Sequence, residues 1–295
     1  MSTLRVGWIG VGVMGRSMCG HLLAAGYPVR VFNRTPDKCA ALAEKGAVVC
    51  SSPAEVAVGS DVIFSIVGFP IDVQNVLLGA EGVVANAAPG AVVVDMTTSE
   101  PALAKRIFEA AKARGLDSLD APVSGGDLGA REATLAIMVG GEEAAFARVL
   151  PLFEKMGRNV RLMGGPGAGQ HTKMCNQILI AGTMIGVVES LLYAQRAGMD
   201  ADAVIDVIGS GAASSWSINN LGRRIAKGDY NPGFFIKHFV KDMGIALAEA
   251  QAMNISLPGL ALVRQLYIAA MAQGHQNLGT QGLYKALAHV NGLSL

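Results

Sequence analysis

The pattern of hydrophobic and polar positions changes character a little past the middle of the chain. Before residue 164, apolar runs of strand length alternate with stretches of helical spacing such as 54–58 and 101–113. This alternation predicts an α/β domain with a doubly wound, mainly parallel sheet and helices on both faces. The strands are predicted at residues 4–9, 29–32, 48–50, 62–67, 91–95, 118–121 and 135–139.

The rest of the chain has a different pattern. The segment GGPGAG at 164–169 interrupts the alternation, and from residue 170 onwards the apolar positions have helical spacing with no convincing strand. The first long helix is predicted over 170–197. We therefore expect two domains, an α/β domain over residues 1–164 and an all-helical domain over residues 165–295.

The composition and the net charge indicate which classes of partner this chain is not expected to bind. The chain has 24 basic and 23 acidic residues and no run of Lys or Arg that would follow a phosphate backbone, so nucleic acid is not an expected partner. The longest apolar run, residues 178–188, is too short to cross a bilayer, and glycines interrupt the apolar segment that a signal peptide needs. We expect no membrane association and a cytoplasmic location.

The cysteines and histidines do not have the spacing of metal ligands. The four cysteines lie far apart without a C-x-x-C pair, and the five histidines are scattered. A zinc site and a disulfide framework are therefore both unexpected, and a reducing compartment fits the cysteine usage. We expect no bound metal.

A glycine-rich turn separates the first predicted strand from a helix. Residues 6–26 read VGWIGVGVMGRSMCGHLLAAG, in which Gly10, Gly12 and Gly15 form G-x-G-x-x-G. In a Rossmann domain the first glycine permits a tight turn, the second lets the backbone approach a pyrophosphate, and the third lets the helix pack closely. An ordinary tight turn would also use glycine, but the strand before it and the helix after it favour a dinucleotide. The predicted cofactor-binding loop is Gly10, Val11, Gly12, Val13, Met14 and Gly15.

The end of the second strand predicts which dinucleotide binds. Asn33, Arg34 and Thr35 stand where an Asp or Glu would bind the ribose hydroxyls of NAD. A guanidinium and a hydroxyl suit a 2'-phosphate, which an acidic residue would repel. We therefore expect NADP(H) to be favoured over NAD(H), the alternative being an ordinary polar turn.

Ligands of a doubly wound sheet bind at the carboxyl ends of its strands. The segment GFP at 68–70 follows one such end, either as a turn beneath the cofactor or as a plain loop. Thr98, in DMTTSEP, either bonds the nicotinamide side or belongs to an ordinary helix start. Ser124, Gly125 and Gly126, in DAPVSGG, provide a hydroxyl and two unshielded N–H groups, which suit a small carboxylate.

A lysine lies in the first turns of the long apolar helix. Lys173, Asn176 and Gln177 occupy positions i, i+3 and i+4, so the ammonium and two amides share one face. Desolvation there would lower the pKa of the lysine toward neutrality, as a proton donor requires. The alternative is a lysine whose ammonium extends to solvent.

Five motifs occur together in the order and approximate spacing of the beta-hydroxyacid dehydrogenases, and the chain resembles this family over essentially its whole length. The motifs are GWIGVGVMG, DMTTSEP, DAPVSGG, GAGQHTKMCNQ and KHFVKDMGIAL. Two departures are visible. Many members read M-L-P where this chain has Ile66, Val67 and Gly68, and many have a second asparagine at Gln177.

The resemblance implies roles for individual residues. Lys173 would be the catalytic general acid and base, and Ser124 to Gly126 would hold the substrate carboxylate. Asn176 would orient the substrate further, and Trp216 would either line the substrate pocket or pack between helices. Val67, Thr98 and Lys241 would contact the cofactor, with Asp242 beside Lys241.

The resemblance also implies a function. The expected reaction is hydride transfer between NADP(H) and a short β-hydroxy acid or semialdehyde, such as 2-hydroxy-3-oxopropionate, 3-hydroxyisobutyrate or succinic semialdehyde. The helical domain would bind the substrate and form the interface of a homo-oligomer, either a dimer or a tetramer. Two alternatives are a noncatalytic dinucleotide-binding scaffold protein and an imine reductase on the same fold. The presence of Lys173 counts against both.

Overall fold

The computed structural model describes residues 4–293, and nine strands of this part of the chain form one sheet. The strands are β1 (Val6–Ile9), β2 (Val29–Phe32), β3 (Val48–Val49), β4 (Val62–Ser65), β5 (Val92–Asp95), β6 (Asp117–Asp120), β7 (Val123–Ser124), β8 (Leu135–Gly141) and β9 (Gly157–Gly164). Six of them run parallel in the order β3-β2-β1-β4-β5-β6. Strand β8 is antiparallel to β6 and β7 and parallel to β9.

Helices connect the strands and cover the sheet. They are α1 (Gly15–Ala24), α2 (Ala40–Ala43), α3 (Pro53–Ala57), α4 (Pro70–Leu78), α5 (Val83–Asn86), α6 (Pro101–Lys112), α7 (Gly126–Arg131) and α8 (Glu143–Phe153), and a 3-10 turn precedes α2 at Pro36–Cys39. The apolar strands are buried on both faces, as parallel strands covered by helices require. On one face Trp8 stacks on Phe64 at 5.4 Å, and Phe64 meets the edge of Phe153 at 6.0 Å between ring centroids.

The doubly wound, mainly parallel sheet expected from the sequence is confirmed. Strand β2 has the expected bounds, and the other predicted strands differ from the observed ones only at their ends. Strands β7 and β9 were not predicted. The first is only two residues long, and the second carries exposed arginines that break an apolar run.

The remaining helices form the second part of the structure. They are α9 (Ala168–Arg196), α10 (Ala201–Ile208), α11 (Arg223–Ala226), α12 (Ile236–Ala252), α13 (Pro258–Ala272) and α14 (Leu283–Val290), with a π-helical segment at Ser217–Gly222 and a 3-10 turn at Thr280–Gly282. They surround a hydrophobic cluster of their own, in which Phe239 meets the edge of Tyr267 at 5.1 Å. The helical character expected after residue 170 is confirmed; an isolated antiparallel bridge joins Phe235 and Gly279.

The chain divides into two compact units between Lys173 and Met174, within the first turns of α9. This helix is also the one element in residues 4–293 that is long and apolar enough to cross a membrane, with a mean hydropathy of 1.6. The apolar run 178–188, which alone is too short to cross a bilayer, lies within this helix. The finding is weak evidence for a span, because the core helix of a globular protein has the same length and composition, and 44% of the window is buried.

Candidate active site

The glycine-rich loop lies between β1 and α1, at the point where the strand order reverses. Gly10 has a φ of +101°, and a Cβ there would collide with the carbonyl oxygen of Ile66. A Cβ on Gly15 would collide with the carbonyl oxygen of Gly10, so the helix approaches the strand as closely as the motif predicts. A Cβ on Gly12 would meet no atom within 4 Å, which leaves open space beside the loop backbone.

Three hydrogen bonds hold this loop in place. The Gly10 N–H donates to the Phe32 carbonyl at 2.9 Å, and the Val11 N–H donates to Oδ1 of Asn33 at 2.9 Å. The indole of the buried Trp8 donates to the Gly10 carbonyl at 3.0 Å. Trp8 had no predicted role, because nothing in the motif indicates where an indole N–H points.

The N-terminus of α1 suits an anion. Met14 precedes the helix and caps none of its N–H groups with a side chain, and the first turn contains no acidic residue. Free N–H groups and the positive end of the helix dipole favour a phosphate there. Together with the open space beside Gly12, this loop fits the pyrophosphate of a dinucleotide.

The residues expected at the ribose lie at the end of β2. The Asn33 amide donates to the Thr35 carbonyl at 2.9 Å while its oxygen accepts from Val11. Arg34 is exposed and pairs with Asp72 at 3.4 Å. An exposed pair of this kind contributes little to stability, so the guanidinium is available to another anion.

The carboxyl ends of β4 and β5 are joined by buried polar groups. The Val67 N–H donates to Oγ1 of Thr97 at 2.9 Å, which ties one predicted cofactor residue to the residue before Thr98. Oδ1 of Asp95 accepts from the Ser65 hydroxyl at 2.9 Å and from the Thr97 N–H at 3.1 Å. Burial raises the pKa of Asp95 to about 6, and the nearby charge of Asp120 adds to the rise.

A second buried carboxylate lies at the end of β6 and caps the start of α9. Asp120 accepts from the Gly167 N–H at 2.7 Å and from the Gln170 N–H at 2.8 Å. Burial raises its pKa, and the two N–H groups oppose the rise. Asp120 and Gln170 were not among the predicted site residues, and the one signal in the sequence for Asp120 was an acid at the end of a predicted strand.

Lys173 lies one helical turn after Gln170 and is buried, with 7% of its surface exposed. This burial counts against the alternative of an ammonium extended into solvent. The predicted proton donor therefore lies in a buried position in the first turns of α9.

The predicted carboxylate loop follows β7. Ser124 ends the strand, and Gly125 and Gly126 have φ values of +130° and +62°. A side chain at either position would be strained, and a Cβ on Gly126 would meet no atom within 4 Å. The loop therefore presents unshielded backbone next to a hydroxyl.

In the helical unit, a chain of polar side chains includes two predicted site residues. The Asn176 amide donates to Oε1 of Gln177 at 2.7 Å, and the Gln177 amide donates to Oδ2 of Asp242 at 2.6 Å. The Lys241 ammonium lies 3.0 Å from Oδ1 of Asp242, which is buried. Gln177, to which the sequence assigned no role, thus orients Asn176.

Two further observations bear on the sequence predictions. Trp216 precedes the π-helical segment with 62% of its surface exposed, so it lies outside the hydrophobic cluster of the helical unit, and its place in the substrate pocket stays a prediction. Within residues 4–293, no group of three or more His, Cys, Asp or Glu side chains could hold a metal ion.

Comparisons with known proteins cover nearly the whole chain. Residues 5–165 match the profile of the NAD binding domain of 6-phosphogluconate dehydrogenase, and residues 167–287 match that of the NAD-binding domain of NADP-dependent 3-hydroxyisobutyrate dehydrogenase. A probable mitochondrial 3-hydroxyisobutyrate dehydrogenase-like protein of Arabidopsis thaliana is 52% identical, with 100% of this chain and 88% of that protein covered. The 2-hydroxy-3-oxopropionate reductase of Escherichia coli is 40% identical, with 96% and 97% covered.

Solved structures show the same architecture. The 3-hydroxyisobutyrate dehydrogenase of Mycobacterium tuberculosis superposes with a TM-score of 0.88 at 30% identity, covering 97% of this chain and 99% of that one. An imine reductase from Pseudomonas sp. is more distant, with a TM-score of 0.64 at 21% identity over 97% of this chain and 100% of that one, and it shows the fold alone. The chain belongs to the beta-hydroxyacid dehydrogenase family and is an NAD(P)-dependent oxidoreductase that acts on CH–OH groups.

Proposed function

We propose that this enzyme interconverts a short hydroxy acid, preferably a β-hydroxy acid, and its semialdehyde with NADP(H) as the preferred cofactor. The candidate substrates are 2-hydroxy-3-oxopropionate, 3-hydroxyisobutyrate and succinic semialdehyde, the first two of which correspond to the names of relatives. The observation that carries the proposal is the buried Lys173 in the first turns of a helix whose start is held at the carboxyl end of β6.

The cofactor would be held by the residues of the first unit. The glycine loop from Gly10 to Gly15 would take the pyrophosphate, and Asn33, Arg34 and Thr35 would take the phosphorylated ribose. Val67 and Thr98 would contact the nicotinamide half, and Lys241 is the predicted contact from the helical unit. The bound nicotinamide supplies or accepts the hydride. The preference for NADP(H) agrees with the description of the second matched profile and with the absence of an acid from positions 33 to 35.

The other steps belong to this chain's own side chains. Ser124, Gly125 and Gly126 would bind the substrate carboxylate and so fix the position of the carbonyl group. Asn176 would orient the substrate, held in turn by Gln177. Lys173 would donate a proton to the carbonyl oxygen during reduction and remove the hydroxyl proton during oxidation. Trp216 would line the pocket.

A substrate panel combined with Lys173 variants tests the proposal. Turnover is measured for glyoxylate, 2-hydroxy-3-oxopropionate, succinic semialdehyde, methylmalonate semialdehyde and 3-hydroxyisobutyrate, each with both cofactors. We expect Lys173→Ala and Lys173→Met to lose about 10²- to 10⁴-fold in turnover, because general acid catalysis contributes that much. NADPH affinity, measured by fluorescence titration, should remain near that of the wild type.

Lys173→Arg separates proton transfer from charge. Arginine keeps the positive charge but does not give up its proton, so it should also fail if Lys173 transfers a proton. The control is Lys155→Ala, which removes an exposed lysine of the same unit. Near wild-type turnover by Lys173→Ala, or reduction of a cyclic imine in preference to every semialdehyde, would contradict the proposal.

A further inference from the structure

The side chain of Gln170 is completely buried and bonds the backbone on both sides of Thr98. Its Oε1 accepts from the Ser99 N–H at 2.9 Å, and its Nε2 donates to the Thr97 carbonyl at 2.7 Å. A planar amide that makes both bonds fixes the loop in position and in orientation. Thr97 and Ser99 are themselves buried, so water cannot replace these partners without cost.

The backbone of Gln170 is fixed in turn by Asp120. The Asp120 carboxylate accepts hydrogen bonds from the N–H groups of Gly167 and Gln170. These N–H groups lie at the start of α9, where N–H groups have no carbonyl of the same helix to donate to. Close packing adds to this restraint. A Cβ on Gly169 would collide with the carbonyl oxygens of Met138 and Asp120, so the helix start lies directly against β6 and β8.

Lys173 lies three residues after Gln170 and therefore on the same side of the helix. The loop that carries Thr98 and the helical turn that carries Lys173 are thus connected through one side chain. Displacement of reacting groups by about 1 Å can cost about 10²-fold in rate, so the length of this connection matters for catalysis.

We propose that Gln170 is a positioning residue that holds the Thr98 loop and the Lys173 turn at a fixed separation, with Asp120 holding Gln170. The proposal rests on the proposed function, in which Thr98 contacts the cofactor and Lys173 transfers the proton. In this role Gln170 acts through its hydrogen bonds to Thr97 and Ser99 and not by contact with the substrate or the transferred proton.

Two substitutions at position 170 test this role. Gln170→Met has a similar size and removes both hydrogen bonds, whereas Gln170→Glu keeps an acceptor for Ser99 and loses the donor to Thr97 while the carboxylate is ionised. The control is Gln281→Met. Gln281 is also a buried glutamine, and its amide donates to the carbonyls of Asp229 and Asn231 at 3.1 Å each, all within the second unit.

For Gln170→Met we expect turnover to fall at least tenfold while the KM for the semialdehyde and the affinity for NADPH change less than threefold. The deuterium isotope effect with 4-deuterated NADPH should rise, because hydride transfer becomes slower relative to the other steps. Amide hydrogen exchange should accelerate at residues 97–99. For Gln170→Glu, turnover relative to the wild type should rise as the pH falls, because protonation restores a donor to Thr97.

Gln281→Met should lower thermal stability while leaving turnover, isotope effect and exchange at 97–99 unchanged. If the wild type is active and Gln170→Met has the same turnover and isotope effect as the wild type, the positioning role is overturned. Equal losses of turnover in Gln170→Met and Gln281→Met would overturn it as well, since a general loss of stability would then explain both. A wild-type chain inactive on the whole panel would instead overturn the proposed function.

Discussion

At the scale of single residues, Asn33 illustrates how one side chain serves two purposes. Its oxygen accepts from Val11 in the glycine loop, and its amide donates to the Thr35 carbonyl. An aspartate would keep the first bond, lose the second, and place a negative charge where a 2'-phosphate would lie. Asparagine therefore supports the loop without repelling NADP(H).

Arg34 provides the sharpest test of cofactor preference. We expect Arg34→Ala to weaken NADPH binding about tenfold or more and NADH binding less than twofold, because only NADPH carries the phosphate that the guanidinium would bind. Fluorescence titration with each cofactor measures both affinities. Asn33→Asp should shift the preference further toward NADH, since a carboxylate can bind the ribose hydroxyls.

The control for Arg34 is Arg161→Ala, which removes an exposed arginine from β9, at the far end of the sheet from β2. Neither affinity should change. Equal losses of NADPH and NADH affinity in Arg34→Ala would contradict a role at the 2'-phosphate, and a wild-type preference for NADH would contradict the cofactor assignment.

Ser124 tests the carboxylate loop in a similar way. Ser124→Ala removes one hydroxyl and leaves Gly125 and Gly126 in place, so we expect the KM for a semialdehyde to rise about tenfold with NADPH affinity unchanged. Steady-state kinetics and NADPH titration measure the two effects. A loss of NADPH affinity as large as the rise in KM would show that Ser124 does not act on the substrate alone.

At the scale of secondary structure elements, the sequence predicted what depends on neighbours in the chain. The G-x-G-x-x-G loop with its flanking strand and helix is local, and each of its three glycines has the environment that the motif requires. The bonds of Asp120 to Gly167 and Gln170 join positions 47 and 50 residues apart. No periodicity within a window of the sequence reports contacts of that separation, so these hydrogen bonds were visible only in the folded chain.

The buried carboxylate at the end of β5 makes stability depend on pH. The pKa of Asp95 is raised from 3.8 to about 6, so the native state holds a proton there that the unfolded state has lost. The contribution of protonated Asp95 to the free energy of unfolding is fully present below the unfolded pKa and is lost as the pH rises through the folded pKa. This rise in the pKa of Asp95 corresponds to roughly 3 kcal/mol in the free energy of unfolding.

Asp95→Asn should remove this dependence, because asparagine keeps the oxygen that accepts from Ser65 and Thr97 but carries no charge. We expect the melting temperature of Asp95→Asn, relative to that of the wild type, to rise between about pH 4 and pH 6.5. Thermal unfolding across that range measures the difference. A constant difference would show that Asp95 titrates alike in the folded and unfolded states.

Asp61→Asn is the matched contrast. Hydrogen bonds from Arg5 lower the pKa of Asp61, so its contribution is present above the unfolded pKa and is lost on acidification. The relative stability of this variant should therefore change with pH mainly below the unfolded pKa of 3.8, and in the direction opposite to that of Asp95→Asn.

At the scale of the whole molecule, each compact unit has its own hydrophobic clusters. Two clusters in the first unit pack on the sheet, and one cluster lies among the helices of the second unit. The length of the chain and the change of pattern near residue 164 predicted two domains, because a chain of 295 residues exceeds a single core. The homo-oligomer and the cytoplasmic location remain predictions, and the Arabidopsis relative is described as mitochondrial.

Cofactor binding should be visible in the stability of the whole protein. A ligand that binds only the native state adds about 2.7 kcal/mol at one hundred times its Kd, and for a chain of this size that raises the melting temperature by several degrees. We expect this shift with NADPH, and a smaller one with NADH at the same concentration. Differential scanning fluorimetry measures both.

Three glycine variants connect that shift to the loop. Gly12→Val projects into the open space beside the loop backbone, so the free protein should melt near the wild-type temperature while the NADPH shift disappears. Gly10→Ala is strained at a φ of +101° and collides with Ile66, so the free protein itself should melt at a lower temperature. Gly20→Ala, in the interior of α1 with no atom within 4 Å of the new Cβ, should be neutral or stabilising by up to about 1 kcal/mol and should keep the full shift. An undiminished NADPH shift in Gly12→Val would mean that the pyrophosphate binds somewhere other than this loop.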